Sequence, residues 1–238
     1  LALAAEPKVS TQPADDDAAG LDTDTESEPE PEPEPERPTA RQRIAELEWG
    51  RVEPVHLVAE LAGADEAHRV AIARSLGRLR DPGATDTLAD LVADTSPAVQ
   101  LQAAAALGWT PNTAPVVRQL LAERVVPARG LGVASHDEHV AAMLVRALGH
   151  QGTSRDVAEL RRLVHAPWPV GEAAAHALGR LAIRDTPAVG EAASDLAQQL
   201  TALDPRKAEA AAFALRRIGL EGADADLVQR VAAGVSRG

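Results

Sequence analysis

A ten-residue stretch that keeps returning sets the limits on what this chain can fold into. Residues 70–79 read VAIARSLGRL, and their core is a Leu-Gly pair behind small residues. It recurs as AAAALG ending at Gly108, VRALG ending at Gly149 and AAHALGRL ending at Leu181, with a degenerate copy, AAFALRRIG, ending at Gly219. Aligned on the leucine, the marks are Leu76, Leu107, Leu148, Leu178 and Leu215, at steps of 31, 41, 30 and 37 residues. A unit of that length cannot bury its apolar face alone and must stack on its neighbours, which is the signature of a solenoid.

The units read as helical. Ile72, Ala73, Leu76 and Leu79 fall at helical spacing. Alanine and leucine supply the apolar share, while the chain has three Trp, one Phe and no Tyr. Alanine is the best helix former, and runs of β-branched or aromatic residues that strands need are few. The expected fold is all-α: a right-handed α-solenoid (an alpha-alpha superhelix) of about five helical hairpins, with an N-terminal capping pair over 39–238.

Local signals place the hairpins. Thr39 can cap a helix from Ala40 to about Trp49, and Pro54 opens a second to about Ala62; this pair lacks the Leu-Gly core and reads as the cap. The first full repeat has helix A from Asp65 to about Leu79, a turn at Arg80–Gly83, and helix B from Thr85 to about Ala93. Ser96-Pro97 opens the second as N-cap and first-turn proline; its helix B runs from Pro115 to about Arg124. Residues 124–137 are an insertion that accounts for the 41-residue step, and such loops often carry function. The third repeat spans about Glu138–Leu148 and Ser154–Val164. The fourth ends its helix A near Leu181, with a longer helix B from about Pro187 to Leu203. Asp204-Pro205 opens the fifth, to about Ile218, and a short helix follows at about 224–231.

The glycine after each repeat leucine (Gly77, Gly108, Gly149, Gly179) costs about 1 kcal/mol of helix propensity against alanine. Its recurrence predicts a neighbouring helix crossing at that point, and the mostly small residues three and four positions before each leucine are expected to let the first helices sit close to their neighbours.

Charge is uneven. Residues 1–38 hold 12 of the 36 acidic residues and 2 of the 24 basic ones. That leaves 24 acidic and 22 basic in residues 39–238, a nearly neutral array without the basic face that nucleic acid requires. Residues 1–38, with EPEPEPEPE at 28–36, have nothing to bury and are expected to be a disordered acidic linker. The opening LALAA reads either as the end of a signal peptide with an A-x-A site or as an arbitrary boundary. The first predicts a periplasmic, cell-surface or extracellular protein, the second allows a cytoplasmic one. No run of 18 apolar residues exists to span a membrane, and the absence of cysteine removes disulfide and thiolate chemistry.

Chemistry-bearing clusters are sparse. His136, Asp137, Glu138 and His139 form the densest; a pair of histidines and a carboxylate suit Zn²⁺, but no further ligand follows at known spacing, and a capped helix start explains the acidic pair. Ser135-His136-Asp137 has the letters of a triad, yet adjacent residues cannot form the relay. His176 reads as a satisfied inter-repeat histidine. No catalytic, cofactor or metal residue is therefore expected, and the chain is expected to be a monomer and not an enzyme.

The A-x-x-A-L-G core, the Ser-Pro and Asp-Pro starts and DPGATDTLADLV (81–92) resemble HEAT repeats, most closely the short bacterial type named after phycobilisome lyases. RIAELEWG (43–50) and AAALGWTPNT (104–113) resemble the HEAT-rich portion that precedes a peptidyl-prolyl isomerase domain in some exported bacterial proteins. The resemblance implies a scaffold or adaptor whose second helices line a concave face and hold a protein or peptide; the alternative is an accessory or recruiting module of an enzyme, isomerase-associated or lyase-like. On that face lie Asp90, Asp94, Arg118, Gln119, Glu159, Arg162, Gln198 and Gln199. Trp109 and Trp168, at repeat edges, either fill gaps between repeats or anchor a partner.

Overall fold

The computed structural model describes residues 38–50, 53–124, 135–201 and 204–219. The segment 1–37, most of the insertion (125–134) and the helix expected at 224–231 lie outside the described residues. Those described form twelve α-helices, two short 3₁₀ turns and no strand. The capping pair is α1 (Ala40–Trp49) and α2 (Pro54–Ala59). The first helices of the repeats are α3 (Glu66–Leu79), α5 (Pro97–Trp109), α7 (His136–Gln151), α9 (Val170–Ala182) and α12 (Pro205–Ile218). The second helices are α4 (Thr85–Val92), α6 (Ala114–Glu123), α8 (Val157–Val164) and, in the fourth repeat, α10 (Thr186–Gly190) with α11 (Ala193–Gln199).

Six of the described α-helices, α1, α3, α5, α7, α10 and α12, begin at a side chain that accepts from one of the helix's free amides. Thr39 accepts from the Gln42 amide and Gln42 reaches back to the Thr39 amide, a capping box. Asp65 caps α3 and Ser96 caps α5. A second capping box, Ser135 with Glu138, starts α7 two residues before the expected Glu138, and the helix runs on to Gln151. Two other expectations are corrected. The second capping helix stops at Ala59, and the chain turns through to Gly63, whose φ of +74° suits glycine. The single helix expected over 187–203 is broken at Glu191 and Ala192 into α10 and α11.

The first helices stack in chain order, α1 on α3, α3 on α5, α5 on α7, α7 on α9 and α9 on α12. The repeated glycines are the points of closest approach. A methyl added to Gly77 would stand 2.7 Å from Cβ of Ala106; one on Gly108, 3.3 Å from Cα of Ala147; one on Gly149, 2.7 Å from Cα of Ala177; one on Gly179, 3.0 Å from Cα of Ala214. The partner is the residue just before the next repeat's leucine, joined at Gly179 by the Phe213 ring at 2.8 Å. The crossing is as expected, and the residue it receives was not named by the sequence reading. The upstream positions are mostly buried core; Ala212, in the last described repeat, is exposed.

Side chains from one repeat also close the previous helix end. Gln151 Nε2 donates to Gly108 O at 2.9 Å. Arg184 donates to the carbonyls of Gly149 at 3.2 Å, of Gly152 at 3.0 Å and of His150. Buried Thr113 donates to Leu107 O at 2.7 Å, so the end of α5 is satisfied from within its own turn.

Candidate docking groove between the second helices

The second helices are spaced less evenly than the first. Each leans on the first helix of the following repeat: α4 on α5, α6 on α7, α8 on α9 and α11 on α12. Along their own row α4 reaches α6 and α8 reaches α11, but α6 and α8 do not pack closely. The buried core parts at the same place. One apolar cluster runs from Ile44 to Leu148 and takes Val140, Leu144, Ala147 and Leu148 from α7; the other runs from Ala141 to Leu215 and takes Ala141, Ala142 and Val145.

The opening is a groove of about 430 Å³ with an apolar floor of Leu121, Ala122, Val145, Leu148 and Leu163. Its rim carries Arg118, Arg124, Arg155 and Arg162 against Asp156 and Glu159. Asp156 is only 2% exposed. It accepts from Arg118 Nε at 2.5 Å and from the Thr153 amide at 2.7 Å, and so bridges the two repeats across the gap. Arg118 sits one residue after buried Val117, and Arg161 one residue after buried Leu160; Arg161 likewise crosses to the next repeat, to Asp195 at 2.6 Å. Arg162 donates twice to Glu159 on the same helix face. Arg124 donates to Val92 O at 2.6 Å and lies 3.4 Å from Asp137.

Of the residues expected to bind a partner, Arg118, Glu159 and Arg162 are brought together on this rim. Gln119 is on α6 outside the groove lining and donates to Glu123 at 3.0 Å. Gln198 is exposed on α11, away from it. Two positions placed on the open face are engaged by neighbouring elements instead, Asp94 part-buried and Gln199 buried. Asp94 accepts from two guanidinium nitrogens of Arg69, at 2.9 and 3.0 Å, which keep its carboxyl below the usual carboxylate range. Gln199 is buried, with its Nε2 3.1 Å from His165 Nδ1. Groove residues missing from the sequence reading include Leu121 and Ala122, at the end of α6 beside the insertion, and Arg155 and Asp156, in the 3₁₀ turn before α8; the long step at 107–148 was the available signal.

Trp109 is 41% exposed and lies over Gly77, with Cε3 3.1 Å from where a methyl there would stand. Trp168 is a wedge across three repeats. Its Nε1 donates to Glu172 at 2.9 Å, Arg206 lies 4.2 Å over the ring, and His139 meets its edge with centroids 5.2 Å apart. His136 and His139 take separate partners: His136 Nε2 lies 2.9 Å from Gln100 Oε1, and His139 Nδ1 2.9 Å from Ser135 O. Among the described residues, no group of three His, Asp or Glu stands close enough to hold a metal. His176 packs between repeats against Phe213, centroids 5.2 Å apart, and 3.9 Å from Glu172. No described helix is long and apolar enough to cross a membrane.

No curated protein matches the chain. A family model described as HEAT repeats matches residues 54–135, from α2 to the cap of α7, and the same glycine-on-alanine packing continues beyond that match at Gly149 and Gly179. The helix order and stacking agree with the HEAT repeats that the family model matches over residues 54–135.

Proposed function

We propose that the chain is a non-enzymatic scaffold or adaptor that holds a protein partner on the face formed by its second helices, with the α6–α8 groove as the contact. HEAT repeats are generally protein-interaction scaffolds, which gives the class of function. The groove carries the finer reading. It is a concave site with an apolar floor and a polar rim, the composition of sites that take another molecule's side chains. Its two carboxylates are already held by guanidinium groups, Asp156 by Arg118 and Glu159 by Arg162.

The test uses the full chain with a photo-crosslinking residue at Gln119, Arg162 or Ala212 in turn. Crosslinking to one and the same protein from Arg162, and not from Ala212 on α12, is the expected outcome. Capture from Ala212 alone would overturn the placement. Turnover of a prolyl peptide by the purified chain would overturn the non-enzymatic reading in favour of an isomerase-linked one.

A further inference from the structure

From the groove's charge we infer the chemistry of its occupant: an extended peptide segment that carries an apolar side chain next to a carboxylate. This rests on the scaffold reading and specifies the partner's docking element.

The inference follows from what is left over once the rim's own pairs are made. Four guanidinium groups face two carboxylates. Asp156 is used by Arg118 and the Thr153 amide, Glu159 is held by Arg162, and Arg124 reaches Val92 O and Asp137, so the pairs leave Arg155 as the cation an incoming carboxylate can meet, with Arg162 exposed beside it. Arg155 is exposed, and its side chain makes none of the hydrogen bonds found among the described residues. The excess is local, since residues 39–238 hold 24 acidic and 22 basic residues. Arginine's planar fork accepts a carboxylate through two parallel hydrogen bonds, so it selects acidic side chains geometrically as well as by charge. Leu121 and Ala122 are the more accessible parts of the floor, while Val145 and Leu148 are closed over. That depth takes one aliphatic or aromatic side chain, not the face of a whole helix. The α6–α8 gap also lies where the two core clusters part, so an apolar side chain seated there meets Leu121, which packs against both.

The absence of cysteine makes the test direct, because an introduced cysteine is unique. Random linear peptides of about twelve residues, long enough when extended to cross the groove, are selected by phage display on the immobilised full chain. The enriched peptides are then measured by fluorescence anisotropy. They should carry Asp or Glu beside Leu, Ile, Val, Met or Phe. Binding should weaken with salt and fall about tenfold or more in an Arg155→Glu/Arg162→Glu chain, as expected for reversed charge across a contact. Both arginines are exposed, so folding is retained, which thermal melting checks. Arg216→Glu, on exposed α12, should leave binding unchanged. The peptide should also slow alkylation of Ala122→Cys and leave Ala212→Cys untouched.

Enriched peptides without acidic residues, binding that survives the double reversal, or protection at Ala212→Cys would overturn the inference and leave the scaffold reading standing. Failure to enrich any peptide overturns it as well, and the crosslinking experiment then decides the scaffold reading separately.

Discussion

At Gly149 the fold rests on a missing methyl group. A side chain there would press into the backbone of Ala177 at 2.7 Å, and backbone cannot swing aside as a flexible side chain does. Gly149→Ala gains about 1 kcal/mol of helix propensity but should lose about 1–3 kcal/mol to overpacking. Net destabilisation is expected in thermal melting. Gly108→Ala meets Ala147 only at 3.3 Å, so its propensity gain should roughly cancel the strain. Equal melting losses for both would contradict the crossing geometry. His150 gives a second residue-level prediction. Burial, with Arg180 and Arg184 nearby, holds its imidazole below the usual value near 6.5. The unfolded chain therefore takes up the proton first as pH falls. Stability from this group is complete above about pH 6.5 and declines as pH drops toward the lowered folded value. His176 acts in the same direction through burial, with Glu172 opposing. His150→Gln should reduce the fall in melting temperature between pH 7 and pH 5; an unchanged slope would exclude His150 as a contributor.

Among the elements, the second helices show what a repeat pattern reveals and what it conceals. The first helices were legible because their spacing is fixed by backbone contact: Leu76 through Leu215 set the register, and the glycines announced the crossings. Ser96-Pro97 and Asp204-Pro205 marked starts because capping and first-turn proline are local chemistry. The break between α10 and α11 was hidden because Glu191 and Ala192 are ordinary helix residues. Its sequence trace was Gly190, around which nothing lies within 4 Å and which thus has no packing role like the other helical glycines. Half of the groove's charged rim, Arg118, Glu159 and Arg162, was legible as polar positions on second helices. The gap itself was not, because it depends on how far α6 stands from α8. Across that gap Asp156 is the tie. Asp156→Ala removes a buried acceptor from Arg118 and from the Thr153 amide and should cost about 2 kcal/mol, in the range for hydrogen bonds to charged groups. Glu159→Ala, losing an exposed pair on one helix, should cost under about 0.5 kcal/mol. Urea denaturation of the two variants distinguishes a structural bridge from a solvated pair.

For the whole array, α7 decides whether the two core clusters behave as one structure. Stability in a repeat stack is approximately a sum of repeat and interface contributions, so a weak interface lets the halves unfold separately. Here both clusters draw buried residues from the same helix: Leu144 and Leu148 belong to one, Ala142 and Val145 to the other. Losing α7 exposes both, which couples them although the second helices part beside it. Urea unfolding followed by far-ultraviolet circular dichroism and by tryptophan fluorescence should give coincident transitions, since Trp109 reports the first cluster's side and Trp168 the second's. Leu148 is 1% exposed, so Leu148→Asp buries an unpaired charge and should abolish cooperative folding on both sides. Leu144→Ala, a milder cut of about 2–5 kcal/mol, should lower hydrogen-exchange protection in α5 and α9 alike. Protection lost in α5 but kept in α9 would show two independently stable halves, with the groove as a hinge between them.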